Sequence, residues 1–239
     1  MFPRTFFAPF QRRSPKRRLS AVVLSYNKEW VIRPFFASLQ KQTRKPDQVV
    51  VVDDASTDRT SEVLVKEFHQ YQIIRLPENR GQSAARNVGF HATSGDYIIF
   101  LDGDIIMKPD MLAAMERVLE NVPNASIAYC HYDRSGSRRD HVRSFPWDAD
   151  RLKRENYISM VSMIRRKDMP SPPLDESLRR YEDWDLWIRM MKAGKRGALV
   201  DQVLFVARYQ PDDLSGSGES IQWREIVEQK HGLPSWKEG

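Results

Sequence analysis

The sequence predicts an α/β fold in which a mainly parallel sheet is covered by helices on both faces. Three observations lead there. Short runs rich in Val, Ile and Leu alternate along the chain with segments whose apolar residues recur at helical spacing. That regular strand–helix order calls for parallel strands joined by crossover helices. The strand candidates also end on polar or acidic residues, Asn27, Asp54 and Asp104. In open sheets of this class, ligands bind beyond the carboxyl ends of the strands.

Residues 19–26 (LSAVVLSY) read as the first buried strand, ending at Ser25 and Asn27. Val31, Phe35, Phe36 and Leu39 then fall on one side of a helix, with Pro34 early enough to sit in its first turn. Residues 48–52 form a second strand that ends in Asp53-Asp54, and Ser56-Thr57-Asp58 signals the next helix start. A third strand near 72–76 leads into Asn79-Arg80-Gly81, and residues 83–91 have helical character. The run Tyr97-Ile98-Ile99-Phe100-Leu101 stops at Asp102-Gly103-Asp104. Two carboxylates this close need a cation between them or a shared proton. A hard divalent ion shared with substrate phosphates meets that need, while an Asp-Gly pair also serves as a plain polar turn.

Pro109 opens a helix with Met111, Leu112, Met115, Val118 and Leu119 on one face, and residues 125–129 make a further strand. Residues 134–143 are polar and basic and are expected as a surface loop; residues 157–164 are expected as a strand. Residues 182–193 form a helix with Trp184, Trp187, Ile188 and Met191 on one face, stopped by Gly194. Residues 199–206 are a short strand or pair of strands, and residues 221–229 a terminal helix.

A chain of 239 residues holds one large domain or two small ones. No stretch approaches the roughly 18 apolar residues of a membrane-spanning helix. The single cysteine, Cys130, excludes an intramolecular disulfide and a cysteine-rich zinc site, which fits a reducing cytosol. The net charge of +6 resides in the first 18 residues, where Arg4, Arg12, Arg13, Lys16, Arg17 and Arg18 meet no acid. Phe2, Phe6, Phe7 and Phe10 are interleaved with these bases. That pattern suits peripheral contact with an anionic membrane surface, and equally a solvated flexible leader. A nucleic-acid-binding role finds little support, because acidic strand ends repel phosphate unless a metal intervenes.

The motifs, in order, are Ser25-Tyr26-Asn27, Val52-Asp53-Asp54-Ala55-Ser56-Thr57-Asp58, Asn79-Arg80-Gly81 with Ser83-Ala84-Ala85-Arg86-Asn87, Asp102-Gly103-Asp104 and Glu182-Asp183-Trp184-Asp185. This ordered set resembles the family 2 glycosyltransferases of GT-A fold, over residues 19–217. The resemblance implies a Rossmann-like donor half at 19–130 and an acceptor half at 131–217; the basic, aromatic leader at 1–18 and a helical tail at 218–239 lie outside it. It implies an inverting, metal-dependent sugar transfer from a nucleotide-sugar donor, a UDP-sugar above all, to a glycan or lipid-linked acceptor. Such a reaction belongs to polysaccharide or cell-surface glycan synthesis at the cytoplasmic side of a membrane.

By the same resemblance Ser25, Tyr26, Asn27, Asp53, Asp54, Arg80, Gly81, Arg86 and Asp102 bind the donor nucleotide. Asp54 would accept the imide N–H of a uracil-type base, and its alternative is a turn or helix-capping carboxylate. Arg80 and Arg86 offer guanidinium forks to the diphosphate, and Arg86 reads equally as a solvated helix residue. Asp104 is the implied direct ligand of Mn2+ or Mg2+, with Asp102 in support. Asp183 is the implied catalytic base. Asp185 lies roughly 200° away from it around the helix, so at most one of the two faces a shared pocket. Where many members carry an arginine and a histidine after the last strand, this chain has Gln210 and Asp212, and Asp212 is a candidate oxygen ligand of the metal. Nucleotidyl or phosphoryl transfer is the competing enzyme class, although no Walker-type Gly-Lys-Ser/Thr is present.

Overall fold

The two faces of the central strands explain the architecture. In β1 (Leu19–Ser25), Leu19, Ala21 and Val23 point into one core and Val22 into another. In β4 (Tyr97–Asp102), Tyr97, Ile99 and Leu101 join the first core, Ile98 and Phe100 the second. Side chains alternate along a strand, so an unbroken apolar run needs cover on both sides. The helices supply it. On the first face lie α1 (Ile32–Gln40), α2 (Thr60–Glu67) and α4 (Met111–Asn121); on the second lie α3 (Gln82–His91), α5 (Ala149–Leu152) and α6 (Glu182–Lys192).

The computed structural model describes residues 17–210 and 219–235. The remaining strands are β2 (Gln48–Asp53), β3 (Gln72–Arg75), β5 (Ile105–Met107), β6 (Ala125–Gly136), β7 (Asp140–Val142), β8 (Met163–Arg165) and β9 (Arg196–Tyr209). Their order across the sheet is β3-β2-β1-β4-β8-β6-β9-β5, with β7 paired to β6. The strands β3, β2, β1 and β4 are mutually parallel, as are β6 and β9; β8 and β5 run antiparallel to their neighbours. Register decides what this sheet can do. Ser25 pairs with Asp53 and Leu24 with Asp102, so β1, β2 and β4 end level and open their following loops onto one edge.

Two expectations are corrected. Residues 134–143 are not a loop: β6 runs on to Gly136 and returns as β7. The polar residues of this ribbon pair across it, Asp133 opposite His141 (2.6 Å) and Arg134 opposite Asp140 (3.0 Å), as cross-strand partners do. Residues 157–164 are not one strand; only Met163–Arg165 enters the sheet. The preceding apolar residues pack as coil under α6, where Ile158 O accepts a hydrogen bond from Trp187 Nε1 at 2.9 Å. The last strand extends further both ways than 199–206, and the terminal helix, α7, spans Glu219–His231.

Cys130 is a core residue whose thiol is pushed up to about 12 by burial, so it is packing and not a nucleophile. Among the described residues no helix is long and apolar enough to cross a membrane. The leader through residue 16, Asp212, Ser215 and Ser217 lie outside the described residues.

Candidate functional site

The loops after β1 and β2 are built by side chains that hydrogen-bond to neighbouring backbone. Asn27 sits in the left-handed region (φ 52°), and its Oδ1 accepts from the N–H groups of Thr57 (2.8 Å) and Asp58 (3.3 Å). Ala55 is also left-handed (φ 59°). Non-glycine residues held there mark a backbone whose surroundings over-determine it. Asp53 is fully buried and accepts from Ser56 N (3.1 Å), Ser56 Oγ and Ser61 Oγ. It ties the loop together and stays out of the cleft. Asp54 faces the cleft, and its two oxygens accept Arg80 N (2.8 Å) and Gly81 N (2.9 Å). Burial raises the Asp54 pKa, and those two N–H groups oppose the rise. Gly81 starts α3 at φ 85°, a conformation that L side chains rarely adopt.

The Asp102-Gly103-Asp104 turn links β4 to β5 and crosses from one half of the sheet to the other. Gly103 N donates to Leu24 O at 2.8 Å, and a Cβ at Gly103 would come within 3.0 Å of that oxygen and of Ile32 Cδ1. Only glycine lets the turn approach β1 so closely. Ser25 Oγ lies just beneath, buried and without a hydrogen-bond partner among the described residues, so this serine is under the site and not in its wall. Tyr26 is 40% exposed and lines the cleft.

Arg86 is neither solvated nor in the cleft wall. It is buried, donating to Asp102 Oδ1 at 2.7 Å and to Glu182 Oε1 at 2.6 Å. Burial works against its charge, but the two carboxylates more than offset that and raise its pKa. One guanidinium therefore clamps the Asp-Gly-Asp turn to the first residue of α6. The three acids of that helix turn have three separate sets of partners. Glu182 takes Arg86. Asp183 Oδ1 accepts from Asn156 Nδ2 (2.9 Å) and Trp184 N (2.8 Å), leaving Oδ2 without a partner among the described residues. Asp185, on the far side as the helical geometry requires, accepts from Arg189 Nε and meets His231 and Lys230 of α7.

The electrostatics follow the partners. Burial first and Glu182 second push the Asp183 carboxyl up to about 7, which is where a general base needs to be. Burial acts on Asp185 too, but His231, Lys230 and Arg189 hold its carboxyl down at about 2. Of these two carboxyls, that of Asp183 is raised and that of Asp185 lowered, and Asp185 anchors α7.

These loops enclose a cleft of about 1030 Å³ walled by Tyr26, Asn27, Asp54, Arg80, Asp102 and Asp104, with Tyr132 and Phe205 opposite. Arg80 is paired there with Glu176 (2.9 Å). Asp102 and Asp104 are hard oxygen donors, and among the described residues no third His, Cys, Asp or Glu completes a protein-built cage. Such a pair suits an ion that takes its other ligands from water and substrate phosphates, as Mg2+ and Mn2+ do. Sequence reasoning missed Asn156, which donates a hydrogen bond to Asp183, and Lys28, which ion-pairs with Asp104; both meet their acids only through the tertiary fold. Neither has a local pattern that would have revealed it.

The family model described as Glycosyl transferase family 2 matches residues 20–172, a segment that contains the loops after β1, β2 and β4 and stops before α6. An uncharacterized glycosyltransferase of Haemophilus influenzae is 29% identical over 185 residues, covering 73% of this chain and 62% of its own. The putative teichuronic acid biosynthesis glycosyltransferase TuaG of Bacillus subtilis is 28% identical over 214 residues, covering 84% of this chain and 83% of its own. Among solved structures, S. aureus TarS 1–349 in complex with UDP-GlcNAc has a TM-score of 0.69 at 20% identity, covering 89% of this chain and 66% of that one. GalNAc-T7 with UDP, GalNAc and Mn2+ has a TM-score of 0.68 at 14% identity, covering 91% and 48%. At those identities the two structures speak to the fold alone, and this chain spans less than two thirds of the H. influenzae relative. With the sheet order and edge described above, the chain has the GT-A fold and belongs to glycosyl transferase family 2.

Proposed function

We propose that the chain is an inverting, metal-dependent glycosyltransferase that moves a sugar from a UDP-sugar to an acceptor hydroxyl in cell-surface polysaccharide synthesis. The observation that carries this reading is the Arg86 clamp. One side chain bonds both Asp102 and Glu182, tying the Asp-Gly-Asp turn to the residue before Asp183, and this supports a site shared by metal turn and base. Residues 19–130 would serve the donor and the remainder the acceptor. The complexes of TarS with UDP-GlcNAc and of GalNAc-T7 with UDP and Mn2+ support the donor and metal class, and the name of TuaG supports the biosynthetic setting.

In this mechanism Asp54 accepts the N–H of the base, using lone pairs that its two backbone bonds leave open. Tyr26 offers a face to the ring, and Asn27 fixes the loop that Tyr26 belongs to. Asp102, oriented by Arg86, binds the ribose side, and Asp104 would hold Mn2+ or Mg2+. That ion, when bound, neutralises charge growing on the departing diphosphate. The acceptor oxygen attacks the anomeric carbon as the carbon–oxygen bond to the diphosphate breaks from the opposite face. Asp183 Oδ2 takes the acceptor's proton, while Asn156 and Trp184 N hold the other oxygen still.

Thermal unfolding against a panel of nucleotide sugars, with and without Mn2+, tests the reading. A UDP-sugar with Mn2+ should raise the midpoint, with about 2.7 kcal/mol of stabilisation at a hundredfold excess over Kd. Stabilisation by no nucleotide sugar, or by purine nucleotides in preference, would contradict it.

A further inference from the structure

Asp104 has a cation partner within the chain itself. Lys28 Nζ lies 2.6 Å from Asp104 Oδ2, with the two side chains only 19% and 21% exposed, and both line the cleft. The backbone brings them together. Lys28 N donates to Thr60 Oγ1 (2.7 Å), and Lys28 O accepts from Val31 N (3.0 Å) and Ile32 N (2.8 Å). Asn27, immediately before, is locked in its left-handed turn by residues 57 and 58. On the other side, Arg208 N donates to Asp104 O at 3.0 Å and Gly103 N to Leu24 O at 2.8 Å. The ammonium thus meets the carboxylate from a fixed stem onto a fixed turn.

Asp102 is neutralised as well, by Arg86. A free divalent ion entering the cleft therefore finds both carboxylates paired with resident cations. To reach Asp104 it must displace an ammonium and shed water, with no third acid among the described residues to help. An ion already held by a diphosphate is in a different position. Its phosphate oxygens bring their own negative charge, and the displaced ammonium finds new acceptors without leaving the cleft.

We propose that Lys28 sets the order of loading: it bars a free divalent cation from Asp104 and admits the metal as a chelate of the nucleoside diphosphate. The ammonium then moves from carboxylate to phosphate. The same side chain guards the empty site and steadies the filled one. This inference rests on the metal–nucleotide reading of the cleft, and its test separates the two.

The measurement is Mn2+ binding, read from the EPR signal of the free ion, for the full chain and for Lys28→Met, Lys28→Gln and Lys28→Arg, each with and without UDP. The lysine's backbone bonds do not depend on its side chain, and two neutral variants guard against misfolding of one. Without UDP, the neutral variants should bind Mn2+ about tenfold more tightly than the wild type, an ordinary size for coupling within one site. Lys28→Arg should behave as the wild type, and Asp104→Ala added to Lys28→Met should abolish the gain. UDP should enhance Mn2+ affinity more in the wild type than in Lys28→Met. Equal Mn2+ affinity of wild type and neutral variants in the absence of UDP would overturn the proposal. If UDP still recruited Mn2+ in that case, the transferase reading would stand. Absence of Mn2+ binding in every protein despite bound UDP would overturn both.

Discussion

The two halves of the sheet position their carboxylates by different means. In β1 to β4, the acids sit at ends of parallel strands that stop level, and they are fixed by hydroxyl and backbone groups of the neighbouring loops: Asp53 by Ser56 and Ser61, Asp54 by the N–H groups of Arg80 and Gly81. In the second half, three acids on one helical turn receive distinct electrostatic fates from partners far along the chain. Strand-end acids are placed by topology, so the same fold can reuse them. Helix acids are placed by side chains, so their chemistry depends on a few individual residues. Arg86 is where the two schemes meet.

Breaking that junction should have the largest effect. Arg86→Met leaves Asp102 and Glu182 facing each other without a counter-charge, and should cost about 3–5 kcal/mol of stability, read as a lowered unfolding midpoint. Arg86→Lys should recover only part of it, because an ammonium cannot fork to both acids. Asp104→Ala should act on the first half alone. UDP release is expected to fall about 10²–10³-fold as charge stabilisation of the leaving group is lost, with the fold intact. The pH profile isolates the second half. As the proposed base, Asp183 would act only when ionised, and its carboxyl is raised to about 7. Turnover should fall roughly tenfold per pH unit below that value and level off above it. Asn27→Ala is the mildest change: it removes the Oδ1 acceptor of Thr57 and Asp58 and should lower stability by about 1 kcal/mol.

The same contrast explains what was legible in the sequence. The strands of the first half could be read closely, since apolar runs announce buried strands and their last residues mark the ligand edge, but Ser25, Asp53 and Arg86, expected at the donor, are buried outside the cleft wall. The Trp184, Trp187 and Ile188 face of α6 was equally plain, and all three are buried, with Trp184 Nε1 bonded to Leu152 O at 2.7 Å. The Arg86 role was hidden, because its partners lie 16 and 96 residues away. Helical periodicity says where a side chain points, not whether an acid waits for it. The β6–β7 ribbon escapes sequence reading because its outer pairs, Asp133–His141 and Arg134–Asp140, are polar, and the strand expected at 157–164 is too long because burial in coil leaves the same apolar signature as burial in a sheet. Asp185 was separable from Asp183 by helical geometry alone; that it anchors α7 was not.

The most direct test of the account compares two properties of one variant, Asp183→Asn. Thermal stabilisation by UDP with Mn2+ depends on the first half, and UDP release from a UDP-sugar in the presence of acceptor depends on both. The account predicts that stabilisation persists while turnover falls by about 10²–10⁴, the usual worth of a positioned base. Turnover at the wild-type level in Asp183→Asn would contradict it.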